Sequence, residues 1–257
     1  MASDMDKQVD LTTIPISPTD GLHEEKAPAS TTATMDNTKD ITVFHDKDNF
    51  NVKHPLQNKW TLWFTKPPSG KGEHWNDLLK EVVTFDSVEE FWGIYNNIAP
   101  VSELAHKSDY HLFKTGVRPE WEDLRNKHGG KWSYQYKEKR NIDIDTLWMH
   151  VMMAVIGETL EDEDDGEIQG VVVNVRKGFY RISVWTGSIG RPIPGRGNGD
   201  VSGGKGRSDA KSEAILKNIG SRFKQVLKLN PSESVEFSGH IDAAQVGSTR
   251  VRSKFVA

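Results

Sequence analysis

The chain has 257 residues, 35% of them hydrophobic and 27% charged, enough apolar material for one large domain or two small ones. A formal charge of −4 provides no global basic field, so sequence-independent coating of RNA is disfavoured and any nucleic-acid contact must come from a local patch. The absence of cysteine removes disulfides, thiol catalysis and cysteine-held zinc; the first residues show no apolar run behind a basic patch, so no leader is expected, and no run of about 18 apolar residues occurs that would span a membrane. The expected setting is cytoplasmic, with the nucleus as alternative and no membrane contact.

Residues 1–43 hold no aromatic side chain and are rich in Ser, Thr, Asp and Pro, whereas all eight Trp fall between positions 60 and 185. A disordered tail over 1–49 and a folded domain over 50–257 are expected. Trp60, Leu62 and Phe64 alternate with Thr61, Trp63 and Thr65, which is strand periodicity. Asp86 and Ser87 precede a helix in which Ser87 and Glu90 form a capping box and Val88, Phe91, Trp92 and Tyr95 recur at three and four residues. Trp132, Tyr134 and Tyr136 alternate as a second strand, and residues 145–160 read as a second helix. The acidic run 161–167 reads as a solvated connection. Strands over 171–176 and 179–185 join through Lys177 and Gly178 as a hairpin. Residues 187–206 hold eight Gly with Arg191, Arg196 and Lys205, so a long, mobile, cationic loop is expected. A third helix starts near 208 or 209 and stripes Ile215, Ile219, Phe223, Val226 and Leu227 along one face. The class is α+β, an antiparallel sheet with helices on one face.

Motifs for catalysis are weak. Gly199 to Lys205 fits GxxxxGK, but Gly206 stands where Ser or Thr should hold magnesium. The nine His lack ligand spacing, no nucleophile elbow occurs, and no cofactor is implied.

The tryptophans divide. Trp60, Trp63, Trp132 and Trp148 lie on periodic elements and are expected in packing, while Trp75 (SGKGEHWND) and Trp121 (RPEWEDL) lie in polar loops without an apolar face to join. A loop indole either packs down or stacks on a ligand. Glu122 sharpens the second reading, because a carboxylate can accept from the N1 and N2 hydrogens that guanine alone of the common bases pairs on one edge. Stacking on two indoles contributes about 1–3 kcal/mol per base, and the positive charge of an N7-methylated base adds roughly 0.5–2 kcal/mol of cation–π attraction. Phosphates would need cations nearby. A two-residue turn pairs Asn174 with Arg181 and puts Arg176 and Arg181 on one face; a three-residue turn separates them. On the second helix Met149, Met153 and Gly157 recur at fours within an apolar arc wider than one sheet needs, so the helix is either fully buried or exposes a stripe, with Trp92 as a neighbouring anchor.

Four segments carry a family resemblance: HPLQNKWTLWF at 54–64, FDSVEEFWGIYNNI at 85–98, PEWEDLRNKHGGKW at 119–132 and VVNVRKG at 172–178. They closely resemble eukaryotic translation initiation factor 4E, the messenger-RNA cap-binding family, in order and spacing from His54 onward. The resemblance implies a curved eight-stranded antiparallel sheet with three long helices on its convex back and the 7-methylguanosine cap of mRNA in its concave face, bound without catalysis. It implies that Trp75 and Trp121 stack on the base, that Glu122 reads guanine, that Arg176 and Arg181 hold phosphate and that Trp185 lies beside the N7-methyl group. On the back, His54, Pro55, Val88, Trp92, Met149, Met153 and Gly157 match the surface that holds the scaffold factor 4G and competing 4E-binding repressors. Many relatives carry a Lys two residues beyond the first phosphate Arg, where Gly178 stands here, leaving Lys177 as the nearest cation. Ser248 and Thr249 lie where relatives can carry a phosphorylated Ser.

Overall fold

The computed structural model describes residues 40–47, 49–70, 72–188, 209–242 and 253–257. The expected tail therefore lies largely outside the described residues, and the compact unit runs Asp40–Ala257. In chain order its elements are β1 (Pro55–Thr65), the four-residue helix α1 (Trp75–Leu78), β2 (Leu79–Ser87), α2 (Val88–Tyr95), β3 (Asp109–Lys114), β4 (Gly130–Tyr136), α3 (Ile144–Ile156), β5 (Ile168–Val175), β6 (Tyr180–Thr186), α4 (Asp209–Val226), β7 (Glu236–Gly239) and β8 (Phe255–Val256). The strands form one eight-stranded sheet ordered β2-β1-β3-β5-β6-β4-β7-β8, with every strand pair antiparallel. Register shifts in β1 and β5 mark irregularities of the kind that bend and twist a sheet.

Alternation decides which face is core. Trp60 and Leu62 on β1, Leu112 on β3, Val171 and Val173 on β5, Ile182 and Val184 on β6 and Trp132 on β4 join one hydrophobic cluster with Phe91 of α2, Trp148, Val151 and Val155 of α3, and Ile215, Ile219 and Phe223 of α4. All three longer helices therefore cover the same face, and among the described residues no helix of that length covers the other. Trp60 and Trp132 are fully buried and Trp148 nearly so. Trp63 is also buried, but its parity puts it on the opposite face, beneath the Arg118 guanidinium at 5.6 Å from its ring. Gly220 has a packing reason in mid-helix: a Cβ there would meet the Trp132 ring at 2.7 Å.

Local chemistry sets the helix ends. The Ser87 hydroxyl accepts from the Glu90 amide at 3.3 Å, while the Glu90 carboxylate reaches the amide of Asp86, not that of Ser87, at 3.0 Å. Lys53 sits 2.5 Å from the same carboxylate, and its hydrogen bond is the main reason that Glu90 is held down to about 2. Asp143 caps α3 by accepting from Thr146 N at 3.1 Å. That helix stops at Ile156, earlier than the expected 160, because Gly157 caps it and Glu158 adopts a left-handed φ of 52°.

The acidic run is not a plain solvated connection. Asp162, Glu163 and Asp164 are exposed, but Glu161, Asp165 and Glu167 are buried. Glu161 accepts from the amides of Glu167 at 2.6 Å and Ile168 at 3.1 Å, and Glu167 accepts from Ser188 N at 3.1 Å and Oγ at 2.8 Å. Backbone donors at the start of β5 thus compensate carboxylates whose composition alone reads as solvent-facing. Burial still dominates for Glu161 and pushes its carboxyl up to about 7, against the pull of Lys114.

Candidate functional site

The open face is polar because the residues alternating with the core are small, charged or amphipathic. Asp109 and His111 on β3, Lys131, Ser133 and Gln135 on β4, Asn174 on β5, and Arg181, Ser183 and Trp185 on β6 line one pocket, whose rim is made by the α1 segment and the loop that holds Trp121. Trp75, Trp121, Glu122, Arg176, Arg181 and Trp185 all line it.

Trp75 opens α1 and is 40% exposed, with its edge toward His111, the ring centroids 6.4 Å apart and the planes at 82°. His111 is buried, bonded to Thr65 Oγ1 at 2.8 Å, and held down to about 4 chiefly by burial, with Asp109 opposing, so the wall beside Trp75 is uncharged at neutral pH. Trp121 is half-buried in a loop closed by two side chains. The Asn126 amide, fully buried, donates to the carbonyls of Arg118 and Glu120 at 2.8 and 2.9 Å. Asp123 accepts from Arg118 N and Arg125 N at 3.0 and 2.8 Å. The Trp121 indole N–H donates to the exposed Glu122 carboxylate.

Each arginine is braced. Arg176 makes a bidentate pair with Asp109, at 2.5 and 3.1 Å. Arg181 donates to Gln135 Oε1 at 2.7 Å and lies over Phe179, 5.2 Å from the ring centroid. The hairpin has the two-residue turn: Asn174 pairs with Arg181, Val175 with Tyr180, and Arg176 N donates to Phe179 O at 3.1 Å. Both arginines consequently reach the same pocket. Lys177 does not; it is exposed at the turn and absent from the lining, because the tight turn sends the chain back at that position. Lys131 occupies the ground instead, 5.9 Å from the Trp185 ring and lowered to about 8 by burial first and then by Arg181. Its signal was present in the motif at 119–132: Trp132 faces the core, so its neighbour faces away. Trp185 also meets Phe113 at 5.5 Å and His240 at 4.3 Å; His240 is buried and held down to about 3 by burial and by Lys131.

The second set of residues lies on the helical side. His54 pairs with Glu89 at 2.6 Å, and its carbonyl accepts from Val88 N at 3.0 Å, joining Pro55 at the start of β1 to the first turn of α2. Val88 is 37% and Met153 43% exposed, while Met149 is half-buried and Gly157 exposed. Trp92 is half-buried and packs edgewise on Phe91 and Tyr95. Burial raises the Tyr95 hydroxyl, with Asp145 and Asp143 adding to it. The α3 arc is thus split: Trp148, Val151, Met152 and Val155 are buried and Met149 and Met153 are not. Ser248, Thr249, residues 189–206 of the Gly-rich segment and the GxxxxGK motif lie outside the described residues.

Fold and site together define an α+β module with one aromatic, cation-lined pocket on the open face of its sheet and an apolar stripe on its helical side. The family model for eukaryotic initiation factor 4E matches residues 55–255, and the chain belongs to that family. It is 50% identical over 213 residues to eukaryotic translation initiation factor 4E-1 of Schizosaccharomyces pombe, covering 83% of this chain and 87% of that protein. Among solved structures it is similar to Ascaris suum eIF4E-3 in complex with m7G cap, at 33% identity and a TM-score of 0.64 over 80% of this chain and 98% of that one. It is also similar to C. elegans eIF4E-3 in complex with the 4E-binding protein Mextli, at 32% identity and a TM-score of 0.64 over 80% and 100% of the two chains. No helix among the described residues is long and apolar enough to cross a membrane.

Proposed function

We propose that this chain is a translation initiation factor that binds the 7-methylguanosine 5′ cap of mRNA on its concave face and recruits a scaffold factor through its helical side. The observation that carries the reading is the convergence of two indoles, a carboxylate and two braced guanidinium groups on one pocket. In this reading the base stacks between Trp75 and Trp121, and Glu122 accepts from its N1 and N2 hydrogens. A carboxylate has about four lone-pair sites, so the bond from the Trp121 indole leaves capacity for both. Arg176, Arg181 and Lys131 take the triphosphate, and Trp185 covers the N7-methyl edge. Asp109 and Gln135 hold the guanidinium groups in place beforehand, so less side-chain freedom is lost on binding.

His54, Pro55, Val88, Trp92, Met149, Met153 and Gly157 form the partner surface, suited to one face of an amphipathic helix from the scaffold factor 4G or from a competing repressor. The chain works in the cytoplasm and returns the cap intact.

Titration of intrinsic Trp fluorescence with m7GTP and GTP tests the site. Preference for the methylated ligand of at least about threefold is expected from the cation–π contribution, and equal affinities would overturn the sandwich. Incubation of a labelled cap with the protein and magnesium should recover it whole; release of methylated nucleotide would make the chain a hydrolase.

A further inference from the structure

Phe179 opens the expected strand over 179–185 without a role of its own there, and among the described residues its ring packs against the Arg181 guanidinium. It is half-buried, yet it packs with neither the main core nor the small cluster of Phe113, Val117 and Val172. Its neighbour Tyr180 is buried in the core, so by strand parity Phe179 faces the other way, with Arg181, Ser183 and Trp185. It lines the same pocket as those three, and its carbonyl is fixed at the hairpin by Arg176 N. Among the described residues its one recorded ring partner is the Arg181 guanidinium, 5.2 Å from the ring centroid.

These positions make a ladder. Along the open face of β6 an indole at 185 is followed by a small residue at 183, a cation at 181 and an aromatic ring at 179, spanning about 20 Å at roughly 3.3 Å per residue. If the methylated base lies at the indole end and its phosphates at Arg181, the chain of ligand atoms leaving those phosphates next meets Phe179. We infer that Phe179 is a stacking platform for the first transcribed nucleotide, the one joined to the cap through the triphosphate. The inference rests on the cap-binding reading and extends it by one nucleotide. A base covering the ring removes apolar surface from water, and stacking of this kind is tolerant of base identity because every base has a π-face. Lys137 follows the last β4–β6 pair, Tyr136 with Tyr180, so it stands level with Phe179, exposed and on the pocket lining. It is suited to the phosphodiester that leaves this nucleotide, although Glu138 beside it reduces the local potential.

The test uses the full chain with two probes, m7GTP and m7GpppA, each titrated against wild type, Phe179→Ala, Phe179→Leu and Phe179→Trp. Phe179→Ala should weaken m7GpppA at least about fivefold more than m7GTP, the lower end of what one base stack contributes. Phe179→Leu should follow it, since leucine keeps an apolar cover for Arg181 but has no π-face, and Phe179→Trp should restore the difference. Equal losses for both probes would reduce Phe179 to a support for Arg181 and overturn the inference, as would unchanged affinities. If the wild-type chain bound neither probe, the cap reading itself would fall, and this subsite with it.

Discussion

The two faces of the sheet solve opposite problems. On the open face the side chains assigned to binding are polar or amphipathic, and several already have partners: Arg176 with Asp109, Arg181 with Gln135, Trp121 with Glu122. On the helical face the residues assigned to binding, His54 apart, are apolar or lack a charge, with Val88 and Met153 open to solvent at the edge of a core that includes Trp148 and Phe91. The first surface is organised by hydrogen bonds before a ligand arrives. The second is a remnant of the core stripe that one sheet cannot cover. Perturbing a ligand on the open face should therefore spare the fold, whereas the helical face borders on the core itself.

The largest expected effect, and the sharpest test of that separation, is Trp121→Ala. A base losing one stacking partner of about 1–3 kcal/mol and the associated cation–π term of roughly 0.5–2 kcal/mol should bind about ten- to several thousandfold more weakly. Melting temperature and scaffold-peptide affinity should stay near wild type, because the loop is closed by Asn126 and Asp123 and not by the indole. A joint loss of stability would mean that the loop depends on its tryptophan.

Trp92→Ala probes the other face. Removal of an aromatic anchor typically costs about 2 kcal/mol or more at an interface hot spot, roughly thirtyfold in peptide affinity. Because Trp92 also packs on Phe91 and Tyr95, some loss in melting temperature is expected here, unlike for Trp121. Cap affinity at a temperature well below the transition should not change. Cap and peptide affinity falling together would erase the distinction between the faces.

A smaller effect should separate the ligands of the open face. Arg176→Ala removes one charge-assisted contact, on the order of 1.5–3 kcal/mol before screening, so m7GTP should weaken about tenfold while the methylated nucleoside changes little. Equal losses would move Arg176 from phosphate to base. Raising the salt should shrink the wild-type advantage for m7GTP, since partly exposed ion pairs are screened.

What could be read in advance follows the same division. Strands with one wet face, such as β1, β4 and β6, announce themselves by alternation, and α4 by its stripe of Ile215, Ile219 and Phe223. The strand β3 is harder to read: Asp109 and His111 alternate with Tyr110 and Leu112, but Phe113 breaks the pattern after four residues, and the pairing of Asp109 with Arg176 joins positions 67 apart that no local pattern links. Strands of four and two residues, β7 and β8, are too short to carry a period. Lys177 drew attention by adjacency to Arg176, yet strand parity favours Lys131, which comes from another strand. The acidic run misled for a related reason, since the amides that satisfy Glu161 and Glu167 are invisible in composition.

Glu161 gives the smallest and most informative change, because it belongs to neither face and should act on both alike. Its carboxyl is raised to about 7, so the folded state binds its proton more tightly than the unfolded state does, and the associated stability is complete below about 4.5 and lost as pH rises toward 7. His111 and His240 run the other way. Lowered to about 4 and about 3, they contribute stability that is complete above about 6.5 and lost as pH falls. Between about 4.5 and 6.5 the two slopes oppose, but two histidines titrate against one carboxylate, so the wild-type melting temperature should still fall as pH falls, at about half the slope the histidines alone would give. Glu161→Gln keeps a carbonyl oxygen to accept from the amides of Glu167 and Ile168 and removes the titration, and Glu158 remains 3.8 Å from Lys114. Near pH 8 the variant should melt at or slightly above wild type. From pH 6.5 down to 4.5 its melting temperature should fall more steeply than that of wild type, diverging by about 2–4 °C for each kcal/mol of lost compensation. Parallel pH profiles for the two proteins would show that Glu161 is ionised in the fold, with Lys114 and not burial setting its state. In either case cap and peptide binding should track the folded fraction together, which sets this change apart from Trp121→Ala and Trp92→Ala.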